Sequence, residues 1–211
     1  MRLIAFVTTV LVTCTSGGAS EPTGPRLDLA RAQAAFAATF PDLCEGALKF
    51  DAFEGLEPEA HEIVLPPSYD GGDPQRVVLY GFYCNRGAYN TTTVWMMERA
   101  YGGILPVTFA VPELDFAYTN DAGTVIETFE IKGFTTHTEL VNAEFDPSAR
   151  TMTDHGKWRG LGDAFSAGEW SLRDDRFVLT RYTVDPTING KIDPILVFEA
   201  TDGPQRPVLL D

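Results

Sequence analysis

The sequence predicts an all-β fold, an antiparallel meander that forms a sandwich or open barrel, with one N-terminal helix. From His61 to Ala200 the chain is a series of short runs rich in β-branched and aromatic residues, separated by Gly, Pro, Asn and Asp. Shortly before that series, one segment has apolar residues at helical spacing. Strands only a few residues apart pair as neighbours, so we expect one β-rich domain over residues 28–200. A propeller-like arrangement is the alternative, but no regular repeat period favours it.

The predicted helix begins at Asp28, whose short acidic side chain suits an N-cap position. It continues through an alanine-rich stretch and ends at Pro41, which cannot continue a helix. Its apolar side chains recur at helical spacing: Leu29, Ala32, Phe36 and Phe40. We therefore expect this stripe to cover one face or one end of the sheet.

The strands follow in order and are separated by turn signals. The predicted runs are His61–Leu65, Val77–Cys84, Thr91–Met97, Ile104–Val111, Leu114–Tyr118, Thr124–Ile131, Glu139–Phe145, Arg150–Asp154, Glu169–Leu172, Phe177–Val184 and Ile195–Ala200. The segments 120–123, 146–149 and 174–175 consist mainly of turn-forming residues. Each lies between two neighbouring runs and therefore predicts a hairpin.

The two ends of the chain lie outside the predicted domain. Residues 1–20 have the layout of a bacterial secretory signal: Arg2 is the only charge, residues 3–12 are uncharged and mostly apolar, and small residues follow. The apolar part, about ten residues, is too short to span a bilayer. We expect a flexible linker over residues 21–27, a C-terminal tail over 201–211, and a mature protein in the periplasm.

Two processing routes for the signal are open. The small residues at 18–20 suit cleavage by ordinary signal peptidase and release into the periplasm. Alternatively, Cys14 resembles the cysteine of a lipoprotein signal, which would leave the protein anchored to the membrane through that residue. Thr13 departs from the lipoprotein pattern, since a smaller residue usually precedes the cysteine.

Once Cys14 is set aside with the signal, two cysteines remain, Cys44 and Cys84. In an oxidising compartment, an even pair without metal-like spacing predicts a disulfide. Closing the loop between them would stabilise the fold by about 4 kcal/mol in the chain-entropy model. Two unpaired buried thiols are the alternative.

The formal net charge of the 211 residues is −14. Such an acidic chain is unsuited to nucleic acid, whose phosphates require clustered Lys and Arg. It is equally unsuited to anionic lipid headgroups. The three histidines, His61, His137 and His155, are scattered and have no credible first-shell spacing, so we expect neither a metal nor a cofactor.

Two polar loops are the candidate binding site. One follows the longest predicted strand and contains Arg86, Tyr89 and Asn90, and the other contains Lys157, Arg159 and Asp163. If both lie on one rim of a sheet, their cations would form a site for a small anionic ligand or for an envelope protein. In the alternative interpretation these residues only stabilise turns, with Arg159 paired to Asp163.

The same loops carry a family resemblance. The segment 79–90 (LYGFYCNRGAYN) and the later segment 156–163 (GKWRGLGD), followed by Trp170 and the run 177–179, resemble a family of exported bacterial proteins called domain of unknown function 1176. The segment 142–147 (NAEFDP) also fits it. The resemblance covers roughly residues 60–200 and implies an exported β domain without an assigned activity.

Departures from the family pattern are also informative. Family members usually have a cysteine where this chain has Ala164, and another around residues 182–190, where this chain has none. The joint loss of this pair implies that Cys44 and Cys84 form the remaining bridge. Lys157 and Trp158 also differ from the family's usual second loop.

The sequence contains no complete catalytic arrangement, which favours a non-enzymatic binding or envelope-associated module. A hydrolase of a cell-wall or small polar substrate is one alternative, with Asp163, His155 or Ser166 as candidate groups. Ser166 has no nucleophile-elbow pattern around it. An acidic inhibitor that blocks a basic secreted enzyme is the other alternative.

Overall fold

The computed structural model describes residues 21–50, 53–54, 56–67 and 69–200. The helices are α1 (Leu29–Thr39) and α2 (Glu45–Lys49). The strands are β1 (Glu59–Leu65), β2 (Gln75–Arg86), β3 (Thr91–Glu98), β4 (Ile104–Pro106), β5 (Phe109–Tyr118), β6 (Ile126–His137), β7 (Glu139–Val141), β8 (Glu144–Asp146), β9 (Thr151–Lys157), β10 (Phe165–Arg173), β11 (Arg176–Asp185) and β12 (Ile195–Glu199).

These strands form two five-stranded sheets and a ribbon, and the paired strands are antiparallel. Sheet I has the order β1-β2-β3-β4, and β7 pairs with the beginning of β3. Sheet II has the order β12-β11-β10-β9-β8, and the ribbon consists of β5 and β6. The predicted antiparallel, mostly β fold is therefore confirmed, as a sandwich and not a closed barrel. The short helix α2, which has too few residues for a periodic signal, is an addition to the one predicted helix.

The main core lies between sheet I and sheet II. Leu79, Trp95 and Met97 point into it from sheet I, and Met152 and Trp170 point into it from sheet II. The ribbon adds Phe109, whose ring meets that of Trp170 edge to face with 5.4 Å between centroids. The beginning of β5 is thereby held between the two sheets.

Each core tryptophan lies over a glycine of its own sheet. Gly81 is the cross-strand partner of Trp95, and a Cβ there would lie 2.8 Å from the indole. Gly168 lies two residues before Trp170 on the same face of β10, and a Cβ there would overlap the ring. The Trp170 indole also donates a hydrogen bond of 2.9 Å from Nε1 to the carbonyl of Ala110. Both glycines are therefore needed for packing space.

The other face of sheet I is covered by the helices. Asp28 caps α1 by accepting a hydrogen bond from the backbone of Arg31, as the sequence predicts. Phe36 of α1 stacks on Phe82 of β2 at 4.6 Å between ring centroids. The predicted disulfide between Cys44 and Cys84 is confirmed and fixes the start of α2 to the end of β2.

Two predicted strands are each divided in the structure. The run 104–111 is split between β4 and β5 after Pro106, because β4 pairs with β3 in sheet I whereas β5 pairs with β6 in the ribbon. The run 139–145 is split between β7 in sheet I and β8 in sheet II. Asn142, with a φ of 46°, occupies the crossing between them.

The terminal segments complete the description. Within the predicted linker 21–27, Thr23 exchanges backbone hydrogen bonds with Pro74 (3.1 Å) and Arg76 (2.6 Å) at the start of β2. The predicted signal, including Cys14, and the predicted tail 201–211 lie outside the described residues. Across the described ranges, no helix combines the length and the apolar character that crossing a membrane requires.

The fit of Trp170 over Gly168 predicts the effect of one methyl group. Gly168→Ala should lower the free energy of unfolding by about 1–3 kcal/mol, because the methyl group displaces the ring inside a packed core. Urea denaturation followed by tryptophan fluorescence would measure it. Gly87→Ala is the matched control, since a Cβ there makes only an ordinary contact of 3.5 Å with the Asn90 carbonyl. Equal stability of the two variants would contradict this packing.

Candidate functional site

The two loops singled out by the sequence lie side by side at one end of the sandwich, and we call them together the rim (residues 86–90 and 157–163). The Asn90 side chain donates a hydrogen bond of 2.7 Å to the Lys157 carbonyl and accepts one of 3.2 Å from the Lys157 amide. The Tyr89 hydroxyl donates to the Trp158 carbonyl at 3.1 Å. The structure therefore joins Tyr89, Asn90 and Lys157 into one surface.

Asn142 connects the rim to both sheets. Its side-chain amide donates to Asn90 Oδ1 at 2.9 Å and to the His155 carbonyl at 2.8 Å. Its Oδ1 accepts a hydrogen bond of 2.9 Å from the Thr91 amide. A left-handed backbone, which asparagine tolerates better than most residues, places this side chain between β3 and β9. Sequence reasoning missed this role and used Asn142 only as part of a family segment.

The guanidinium of Arg159 is bound within the rim. It donates to Asp163 from Nε to Oδ1 at 2.6 Å and makes a second, parallel contact from Nη2 to Oδ2. Asp163 is 3% exposed and also accepts a hydrogen bond of 2.7 Å from the Gly190 amide. The guanidinium of Arg159, together with the backbone amides of Gly190 and Asp163, holds the pKa of the Asp163 carboxyl far below its ordinary value. This ion pair therefore fixes the loop. The parallel N–H groups of the Arg159 guanidinium are already occupied by Asp163.

A third loop, residues 186–193, lies against the rim and is organised by the buried Asp185. One oxygen of its carboxylate accepts from the Thr187 amide and hydroxyl, at 3.1 and 2.8 Å, and the other accepts from the Asp193 amide at 2.7 Å. The tip of the ribbon also reaches this loop, because the Tyr118 hydroxyl donates to the Pro186 carbonyl at 2.7 Å. Four segments therefore meet at this end of the molecule.

Apolar side chains are exposed on the rim, and we call Tyr89, Trp158 and Leu161 the rim patch. Their exposed fractions are 42%, 40% and 72%. Trp158 is held from one side by Phe116 of the ribbon, with 5.6 Å between stacked rings. Arg86 is exposed at the end of β2. The rim thus presents three large apolar side chains in a fixed frame, an arrangement suited to contact with a partner.

The candidate hydrolytic groups are not brought together. His155 stacks its ring on Phe165 at 4.7 Å, on the outer face of sheet II, whereas Ser166 lies on the inner face beside Gly156. Burial and the nearby Lys157 charge lower the pKa of His155. Asp163 is engaged by Arg159. The structure therefore does not assemble His155, Ser166 and Asp163 into a catalytic group. No cluster of three or more His, Cys, Asp or Glu that could hold a metal ion occurs among the described residues.

Asp154 is a half-buried acid that sequence reasoning did not select. It shares the inner face of β9 with the core residue Met152, and its carboxylate accepts a hydrogen bond of 2.7 Å from the Gly168 amide. Burial raises the pKa of Asp154 to about 7, although backbone donors at Gly168 and Val141 act in the opposite direction. The sequence indicates this burial of Asp154 through the alternation of the strand, in which Asp154 occupies an inward-facing position.

A further concavity lies away from the rim. It has a volume of about 520 Å³ and is bounded by α1, α2, the segment after α2 and β2. Phe36, Phe82 and Leu48 line its apolar wall, and Phe53 stacks on Tyr83 at its side with 5.1 Å between centroids. The predicted rim residues do not line this cavity.

Comparison with known proteins gives a family match and one distant relative. A family model described as a protein of unknown function, DUF1176, matches residues 74–194, a span that contains both loops of the rim. The chain is 32% identical over 108 residues to the uncharacterized protein YpfG of Escherichia coli (strain K12). That alignment covers 51% of this chain and 27% of the relative, so the chain spans about a quarter of that protein's length. No solved structure matches the chain.

The raised pKa of Asp154 predicts a specific pH dependence. Asp154 has an ordinary pKa of 3.8 when unfolded and about 7 when folded, so the folded state binds the proton more tightly. Its contribution to stability should be complete below about pH 4, decline towards pH 7 and be constant above that, with a slope approaching about 1.4 kcal/mol per pH unit.

The measurement is the free energy of unfolding of the wild type and of Asp154→Asn between pH 4 and pH 9. Taking the difference removes the titration of the other carboxylates. The asparagine variant should gain stability relative to the wild type as the pH rises to 7. A difference that stays constant over this interval would show that Asp154 ionises normally.

Proposed function

Because this chain belongs to the DUF1176 family, whose function is unknown, we propose a function from its own geometry: a non-enzymatic binding module of the bacterial envelope that contacts a partner protein through the rim. The rim patch carries this proposal. It combines exposed aromatic and aliphatic side chains with a backbone that is fixed by hydrogen bonds. Aromatic side chains on rigid supports are the residues that most often anchor protein interfaces.

The organisation of the rim supports binding more than catalysis. The side chains of Asn90, Asn142, Asp163 and Asp185 are used to fix backbone segments. A preformed surface loses little conformational freedom on association, which favours affinity. The large side chains that remain exposed on it are Arg86, Tyr89, Trp158 and Leu161, and they do not form an acid–base pair or an activated nucleophile.

A protein partner is supported over a small anionic ligand. Recognition of a small anion would depend on the forked guanidinium of Arg159, and that fork is occupied by Asp163. Arg86 remains as an exposed cation beside Tyr89. One arginine next to large apolar groups is typical of the centre of a protein interface.

Export of the protein is part of the proposal. The disulfide between Cys44 and Cys84 supports it, since thiols in the cytosol are kept reduced. The secretory-signal layout of residues 1–20 points the same way. Release into the periplasm agrees with the small residues at 18–20, and anchoring through Cys14 is the alternative outcome.

Site-specific photo-crosslinking in the living bacterium tests the rim. A benzophenone amino acid at Leu161 should give one defined protein adduct. Trp158→Ala should reduce the yield of that adduct, because the change removes one of the three side chains of the rim patch. The same amino acid at Tyr101 is the control, since Tyr101 is 92% exposed and lies in the turn between β3 and β4. Adducts of equal pattern and yield from both positions would contradict a binding surface at the rim.

Fractionation together with thiol alkylation tests export. After osmotic shock the protein should appear in the periplasmic fraction without residues 1–20, and Cys44 and Cys84 should react with a thiol reagent only after reduction. Cys14→Ser is the control, because it should leave this distribution unchanged. Membrane association that depends on Cys14 would instead support the lipoprotein route, and a full-length cytosolic protein with free thiols would refute export.

A further inference from the structure

The ribbon formed by β5 and β6 has a long open edge. Within the described chain β6 pairs only with β5, and all 12 residues of β6 are exposed or half-buried. The edge strands of the two sheets, β1, β4, β7, β8 and β12, have three to seven residues, and β5, the other strand of the ribbon, has ten but is buried against the core at its beginning. Edge strands have unpaired N–H and C=O groups that can template another strand, and proteins usually shorten or cover them. This edge is therefore the main site in the described fold where a further strand can add.

The ribbon is also strongly acidic. Between residues 109 and 137 it has five acidic residues, Glu113, Asp115, Asp121, Glu127 and Glu130, and one lysine, Lys132. Asp115 and Glu130 lie directly opposite each other in the register, which is unfavourable for two like charges. Lys132 contacts both carboxylates, at 3.4 Å from Asp115 Oδ2 and more closely at Glu130. The remaining acids are exposed: Glu113 and Glu127 on the strands, and Asp121 in the turn between them.

Apolar positions alternate with these charges. Ile131 is 42% exposed and Phe134 is 55% exposed, and Phe134 packs edge to face on Phe198 of β12. The ribbon is continuous with the rim patch, because the ring of Phe116 stacks on Phe129 at 6.2 Å and on Trp158 at 5.6 Å. An added strand along β6 would therefore meet backbone partners, apolar contacts and carboxylates together.

We propose that the open edge of β6 binds an extended, lysine- or arginine-rich segment of the partner protein as an additional antiparallel strand. The backbone groups of β6 supply affinity in this mode, and alternate side chains supply specificity. Charge complementarity identifies the segment as basic, since Glu113 and Glu127 would lie near its cations. A second copy of this chain is disfavoured, because pairing two β6 edges would bring acidic ribbons together.

The proposal deepens the rim-binding function and rests on it, while its readout is separate. The probe is a peptide of about ten residues in which lysine alternates with valine and threonine, and its matched control has glutamate in place of each lysine. Hydrogen exchange of the wild-type protein, with and without peptide, should show new protection of amides in β6 with the lysine peptide only. Binding should weaken as the salt concentration rises.

Charge-reversal variants test the role of the acids. Glu113→Lys combined with Glu127→Lys should weaken binding of the lysine peptide by about tenfold. Asp42→Lys combined with Asp73→Lys is the matched control, since it changes the net charge equally at exposed sites away from the ribbon, and its affinity should equal that of the wild type. Circular dichroism would verify that both variants fold.

Three outcomes would overturn the edge proposal. They are protection outside β6, equal binding of the glutamate peptide, or equal weakening by both pairs of substitutions, which would indicate non-specific attraction. Dimerisation through β6 in sedimentation experiments would assign the edge to a second copy. If the peptide does not bind at β6 while Leu161 still gives its adduct, the rim function stands without strand addition. Loss of the Leu161 adduct refutes the rim function itself.

Discussion

The crossing at Asn142 is the constraint on which the candidate site depends. Here the chain leaves β7 in sheet I and enters β8 in sheet II. The side chain of Asn142 satisfies Thr91, Asn90 and His155 at once, so it links the beginning of β3, the first loop of the rim and β9. A half-buried polar group whose donors and acceptor are hydrogen-bonded specifies one arrangement more strictly than apolar packing does. The position of the rim therefore follows from the way the sandwich is joined.

Some of the acidic residues have a structural role, because their carboxylates are buried and bind backbone amides. Asp163 and Asp185 are almost inaccessible to solvent, and each accepts hydrogen bonds from the backbone of a loop near the rim. Burying a charge in this way is favourable only where several donors compensate for lost hydration. Asp154 has fewer such donors and responds by taking up a proton more readily. The acids of this chain thus divide into internal supports and an exposed population that is dense on the ribbon.

Much of the fold could be predicted from the sequence because it depends on local signals. The cap at Asp28, the turns at 120–123 and 146–149, and the strand periodicity are encoded by neighbouring residues. The split of residues 139–145 between two sheets could not be predicted, since it depends on a crossing that only tertiary packing defines. The rim loops were identified by their Arg, Gly and Tyr content. The ion pair of Arg159 with Asp163 was weighed as one of two possibilities, and the structure shows this pair. Asn142, Asp154 and Asp185 were missed because one buried polar residue in a strand or turn has no distinctive pattern.

The disulfide joins the helical segment to the part of the chain that the family model matches. The family match begins at residue 74, so Cys84 lies within the shared region whereas α1, α2 and Cys44 precede it. The helical layer on the outer face of sheet I is thus fastened covalently to the matched region. A relative that lacks this layer would expose Val78, Tyr80 and Phe82 to solvent, and would need another element, or another subunit, to shield them.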